Sequence, residues 1–365
     1  YFKDKIEDEE DFEMLKKEIS RLGVSCSTQK FEFSTFYSRV YPKISFFLGS
    51  YLILMLFLGI ENLFITISIF ISIFTLLCLM LLTRKPENIQ FGKVLPSQNI
   101  IVKIPSKNEG SSTPKPLAPE RIVNDVLFMA HVDSKSQTLP IRIRGFGNTF
   151  WFFSMISSGI IIFLRVFFPY SVFIYIIGWI SIGINLTCTF LIVINFTGNK
   201  SPGAIDNASG LACSLELLHH FVKAKKLKNL NLWFVFLGAE ECGTMGVRHF
   251  YRGFIQDNPK EEMIIHNFES LATNVYAFVS KKILENESRY YEIFDSKIDS
   301  SRFKVLSGSY TVGFHTDGVY LMHKGYRVLE FESSDTGWYM HTIEDTPDKV
   351  NSNVLKELCE ALEQT

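Results

Sequence analysis

Four stretches with almost no charge dominate this sequence: residues 44–60, 63–82, 150–168 and 171–196. A helix needs about 20 apolar residues to cross the hydrocarbon of a bilayer, and each stretch approaches or exceeds that length. Glu61 and Asn62 alone separate the first pair, and the second pair turns around Pro169, so each pair reads as a transmembrane hairpin. The 34 Phe residues are concentrated in these runs. Asn185 lies inside the fourth, where a bare amide is costly, so it should face another helix.

An even number of crossings returns the chain to one side. This divides the sequence into an N-terminal part of a soluble domain (1–43), a first hairpin (44–83), a continuation of that domain (84–149), a second hairpin (150–197) and its main part (198–365). Arg39, Lys43, Arg84, Lys85, Arg142, Arg144 and Lys200 flank the spans on the shared side; the other side has Arg165 and Glu61. By the bias of positive charge toward the cytoplasm, the soluble domain is expected there. With 37 Lys+Arg against 38 Asp+Glu there is no electrostatic case for nucleic acid. The six cysteines have no CxxC spacing and read as free thiols.

In the soluble parts, Phe12, Leu15, Ile19 and Leu22 share one helical face that stops at Gly23. Strands are expected over 99–104, 125–130, 232–238, 263–268 and 327–331, and helices over 207–226, 246–254 and from Asn351 onward. Alternation of this kind predicts an α/β fold with a mostly parallel central sheet flanked by helices. Residues 105–120 read as a loop.

Chemistry-bearing side chains follow the strands or sit in Gly-rich loops: His131, Asp206, Glu241, Glu269 and His341. Carboxylates and imidazoles without a thiolate suit catalytic zinc or a related divalent ion. Five protein ligands exceed one tetrahedral ion but suit two that share a carboxylate. Glu240, beside Glu241, can then handle a proton while its neighbour binds metal.

The segments HVDS at 131–134, SPGAIDNASG at 201–210, GAEECG at 238–243, NFES at 267–270 and WYMHTIEDTPD at 338–348 together resemble the M28 family of zinc metallopeptidases. The resemblance implies a zinc-exopeptidase-like fold into which the hairpins are inserted. It implies two zinc ions per chain, bridged by Asp206, with His131 and Glu241 completing one site and Glu269 and His341 the other. Glu240 would be the general base, and Asp133 would hold the second ring N–H of His131 and fix its tautomer. Two positions depart from the family: Glu269 is often Asp there, and Gly318 stands where the pattern Ser-Asp-His has its histidine.

The expected activity is removal of a terminal residue from a peptide, at the amino end by preference, on a protein embedded in a lipid bilayer. A carboxypeptidase would need a cation for the substrate carboxylate, for which Arg302, Lys304 and Arg327 are candidates. A glutaminyl cyclase, which uses one zinc, and a non-catalytic membrane scaffold are the other readings. His315 or Tyr339 could donate to an oxyanion. His219, His220, His249 and His266 read as surface or packing residues, and Asn286 opens a glycosylation sequon.

Overall fold

The computed structural model describes residues 9–59, 62–106, 125–224, 227, 230–279, 301–307 and 315–364. It divides into two compact units, one of residues 1–32, 96–136 and 199–365, the other of 33–95 and 137–198.

The first unit is built on a sheet. Its strands are β1 (Ser27–Ser34), β2 (Val94–Ile104), β3 (Asp125–His131), β6 (Asn231–Leu237), β7 (Met263–Phe268), β8 (Val275–Val279), β9 (Phe303–Ser307) and β10 (Arg327–Glu332), while the short β4 (Ser136–Gln137) and β5 (Thr197–Gly198) pair with each other. The order across the eight-stranded sheet is β1-β2-β6-β3-β7-β10-β8-β9. β6, β3, β7 and β10 run parallel at its centre, so that Phe128 stands between Phe234 and His266. β2 joins β6 antiparallel, and β8 joins β10 antiparallel.

Period-two alternation along these strands feeds two cores. On one face Val126, Phe128 and Ala130 pack with Phe12 and Ile19 of α1 (Glu9–Arg21), Leu217 of α6 (Ser209–Lys223) and Leu358 of α9 (Ser352–Leu362). On the other, Leu127 and Met129 pack with Val247 and Phe250 of α7 (Met245–Phe250) and Leu321 of α8 (Asp317–His323). Near-continuous apolar strands are what helices on both faces require. The mostly parallel, helix-flanked α/β sheet expected from the sequence is therefore present.

The second unit is helical: α2 (Tyr41–Leu58), α3 (Leu63–Leu82), α4 (Ile141–Phe167) and α5 (Val172–Val193). All four are long and apolar enough to cross a membrane. Ile53, Phe57, Ile161 and Ile182 form a small interior, whereas Phe64 (82% exposed) and Phe173 (71%) point outward. Polar side chains inside the bundle satisfy one another. Trp151 Nε1 donates to Ser50 (2.9 Å) and Thr189 (3.0 Å), and Ser158 lies 2.8 Å from Ser181. Asn185 faces another helix, as expected, donating to Ser154 Oγ at 2.9 Å.

Candidate metal centre

The central strands all end at the same edge of the sheet, where open α/β folds gather their chemistry. His131 is the last residue of β3; Glu240 and Glu241 open the turn after β6; Glu269 follows β7; His341 lies in the loop after β10. Asp206 sits in the turn Ala204–Ala208 that leads into α6, and its peptide bond to Asn207 is cis. Ala239 (φ 56°), Ser270 (φ 52°) and His341 (φ 62°) adopt the left-handed region, a cost on the order of 1 kcal/mol or more each that surrounding contacts must offset.

Those contacts are specific. Asn99 of β2 accepts the N–H of Gly238 (3.1 Å) and donates to the carbonyl of Gly246 (2.8 Å), tying the end of β6 to α7. A Cβ at Gly246 would fall 2.2 Å from the Gly238 carbonyl oxygen, so only glycine allows this approach. Asn207 donates to the Phe268 carbonyl (2.8 Å) and accepts from Ser270 N–H (3.3 Å), pinning the Asp206 turn to the end of β7. Asp345 supports the same turn by accepting from Ile205 N–H (2.6 Å).

The carboxylate of Asp133 accepts the backbone N–H groups of both Glu240 and Glu241 at 3.0 Å. This corrects its expected role. The ring N–H of His131 goes to the Asp133 carbonyl (2.9 Å), with the carboxylate oxygen farther away at 3.7 Å. Asp133 still fixes the tautomer, through its main chain, and its side chain aims the acidic turn. With Nδ1 donating, Nε2 of His131 presents a lone pair.

All five candidate ligands come together as two groups that share Asp206: His131, Asp206 and Glu269, and Asp206, Glu241 and His341. Within each group the ligand atoms lie within 4.8 Å of one another. His131 Nε2 stands 3.1 Å from Asp206 Oδ1 and 3.2 Å from Glu269 Oε1. His341 Nε2 stands 2.9 Å from both Asp206 Oδ2 and Glu241 Oε1. The grouping overturns the expected pairing, which joined His131 to Glu241 and Glu269 to His341. The end of β7 brings Glu269 beside β3, while His341 returns to the turn after β6, and motif order along the chain does not encode that return.

The donor set fits a cation. Asp206 Oδ1, Glu241 Oε1 and Glu269 Oε2 are buried without a hydrogen bond, and such oxygens need a positive partner. Burial works to raise the Asp206 carboxyl, yet hydrogen bonds from His131 and His341 hold it well below the usual range. Burial likewise acts to raise Glu241, but the charges of His341 and Lys135 bring it down. Lys135 Nζ lies 2.5 Å from Glu241 Oε2. Glu240 is different: burial, reinforced by the charge of Glu269, pushes it well above the ordinary carboxylate value.

Other sequence candidates stand elsewhere. Arg327 donates to the Glu261 carbonyl, Arg302 faces Glu357 at 3.9 Å, and Lys304 lies over the Tyr276 ring. His220 meets Glu363 (3.2 Å), His249 stacks on Phe31, and buried His266 stacks between Phe128 and Phe331. His315 is exposed, Tyr339 packs under the Lys349 ammonium, and Asn286 and most of the 105–120 loop lie outside the described residues. At the departure from the family pattern, a Cβ on Gly318 would fall 1.8 Å from Glu330 Oε2, so Glu330 fills the space a side chain there would take. Lys135 and Asp345 had no assigned role in the sequence, although Lys135 directly follows HVDS and Asp345 lies inside WYMHTIEDTPD.

Residues 187–365 match the model of peptidase family M28. No curated protein matches the chain. Among solved structures, a glutaminyl cyclase from Tannerella forsythia is 14% identical, with 97% of this chain and 87% of that one covered at a TM-score of 0.50. An aminopeptidase from Aneurinibacillus sp. strain AM-1 is 18% identical over 74% of this chain and 48% of its own (TM-score 0.44). A zinc aminopeptidase from Bacillus subtilis is 17% identical over 74% and 52% (TM-score 0.42). The chain thus spans about half the length of these aminopeptidases. By its match over residues 187–365, the chain belongs to peptidase family M28.

Proposed function

We propose that this chain is a membrane-inserted zinc exopeptidase with two metal ions, acting on the amino end of peptides. The observation that carries the reading is the convergence of two ligand groups on a shared Asp206, with Glu240 held beside them. His131, Asp206 and Glu269 would hold one ion, and Asp206, Glu241 and His341 the other. Zinc bound there would acidify a water and polarise the scissile carbonyl.

Glu240 takes the proton from the attacking water onto a carboxylate oxygen and passes it to the leaving amine. Burial suits it to the task, because a carboxylate with raised proton affinity is a better acceptor near neutral pH. Asp133 sets its direction by gripping its backbone N–H. The engagement of Arg302, Lys304 and Arg327 in other contacts favours the amino end over the carboxyl end.

The apolar helices support insertion into lipid, and the flanking Arg and Lys residues favour a cytoplasmic peptidase unit. In this reading the hairpins interrupt a single peptidase domain between β1 and β2 and again between His131 and Asp206.

The test is zinc content and peptide-end hydrolysis on purified wild type and Glu240→Gln. Two zinc ions per chain in both proteins are expected, with a roughly 10²- to 10⁴-fold lower rate in the variant. Equal rates would remove Glu240 from the chemistry. Zinc binding without peptide cleavage, but with turnover of an N-terminal glutaminyl peptide, would favour the cyclase that shares the fold.

A further inference from the structure

The helical unit contains a cavity of about 310 Å³ with a composition unlike the rest of its surface. Its walls come from the turn before α2 and the first turn of α2 (Arg39, Lys43), the start of α4 (Arg144, Asn148), and the segment after α5 (Asn195, Phe196). Three cationic side chains line it, and none of the lining residues is acidic. Two helices begin at its wall, and the positive ends of their backbone dipoles add to the same sign. Asn195 gives its side-chain oxygen to Leu139 N–H (3.1 Å), so what it has left for the cavity is a donor. The Lys43 ammonium rests 4.0 Å over the Phe196 ring, which keeps the charge at the wall.

We propose that this cavity binds a phosphate-bearing anion, supplied by the headgroup of an anionic phospholipid. Donors and positive charge without a counter-carboxylate are the chemistry of phosphate recognition. The volume lies at the low end of the roughly 300–1,000 Å³ of small-molecule sites, enough for a glycerophosphate group. Position favours the lipid source: Arg39, Lys43 and Arg144 sit at the ends of apolar spans, where headgroups lie, and basic pockets between membrane helices bind anionic headgroups. The inference rests on the membrane reading, and on no part of the metal centre.

The experiment uses the full chain in mixed phosphatidylcholine and phosphatidylglycerol vesicles, followed by flotation and by native mass spectrometry of the lipid it retains. Preferential retention of phosphatidylglycerol is expected, falling about fivefold in Arg144→Gln and further in Arg144→Gln combined with Lys43→Gln and Arg39→Gln, at about 1 kcal/mol per charge. Arg142→Gln removes the same charge from the same helix but does not line the cavity, and it should retain lipid like wild type. The single Arg144→Gln variant keeps the test open if the triple variant fails to fold. Competition by millimolar glycerol 3-phosphate would support the anion site but move its source from lipid to solution. A chain that floats yet retains both lipids equally, in wild type and variants alike, overturns the proposal and leaves the membrane reading intact; a chain that does not float overturns both.

Discussion

Both units bury polar side chains, and they do so in opposite ways. Inside the helical unit the buried groups are neutral, small and mutually bonded: Ser50, Trp151 and Thr189, or Asn185 and Ser154. Inside the sheet unit they are ionisable, crowded and left with buried oxygens that take no hydrogen bond. A low-dielectric interior makes an unmet carboxylate far more costly than a satisfied hydroxyl. The contrast separates two uses of polarity, one that fixes how helices meet and one that awaits a positive ligand.

Four substitutions test that separation, from the strongest expected effect to the weakest. Asp206→Ala removes a donor from both ligand groups. Zinc content should fall toward zero and peptide hydrolysis with it, by more than the roughly 10²- to 10⁴-fold expected for loss of the base. A variant that unfolds less readily while losing zinc would sharpen the contrast, because relief of crowded carboxylates is then visible as stability.

Next is acid stability. His266 is fully buried, and burial pushes it down to about 4 from an ordinary 6.5. The unfolded chain therefore binds this proton first as pH falls, and stability is lost between about 6.5 and 4, by roughly 3 kcal/mol in total. Above 6.5 the contribution is constant. His266→Phe keeps the ring stack with Phe128 and should flatten this part of the pH profile relative to wild type, as measured by denaturant unfolding. An unchanged profile would mean that His266 is hydrated.

Asp133→Ala frees the backbone of Glu240 and Glu241 and should lower zinc affinity or turnover about 10- to 100-fold, the usual effect of removing a group that orients ligands. The smallest effect is expected in the helical unit. Asn185→Leu should cost about 0.6 kcal/mol, the average for hydrogen bonds between membrane helices, with peptide hydrolysis unchanged. A large loss of turnover in a folded Asn185→Leu protein would break the distinction between the two units.

The four spans, the central strands and all five candidate ligands were legible because each depends on local pattern: unbroken apolar length, alternation, and an acid or histidine where a strand stops. β1 and β9 escaped because STQKFEFS and FKVLS mix polar and apolar residues without turn signals at both ends. The grouping of ligands and the main-chain role of Asp133 were illegible for another reason. They depend on distances between loops far apart in sequence, such as the return of His341 to Glu241. Lys135 shows the limit well: its charge is visible in the sequence, but its contact with Glu241 belongs to the fold.

The fit of Glu330 against Gly318 bears on the history open to this chain. Any side chain larger than hydrogen at 318 meets the Glu330 carboxyl, which is wholly enclosed and also holds Asn267 at 2.8 Å. Restoring the family's histidine alone is therefore a step downhill in fitness, and shortening Glu330 alone opens a void beside β7. The two positions can be exchanged only together or through an intermediate with a small residue at 330, so that each has become the other's gatekeeper.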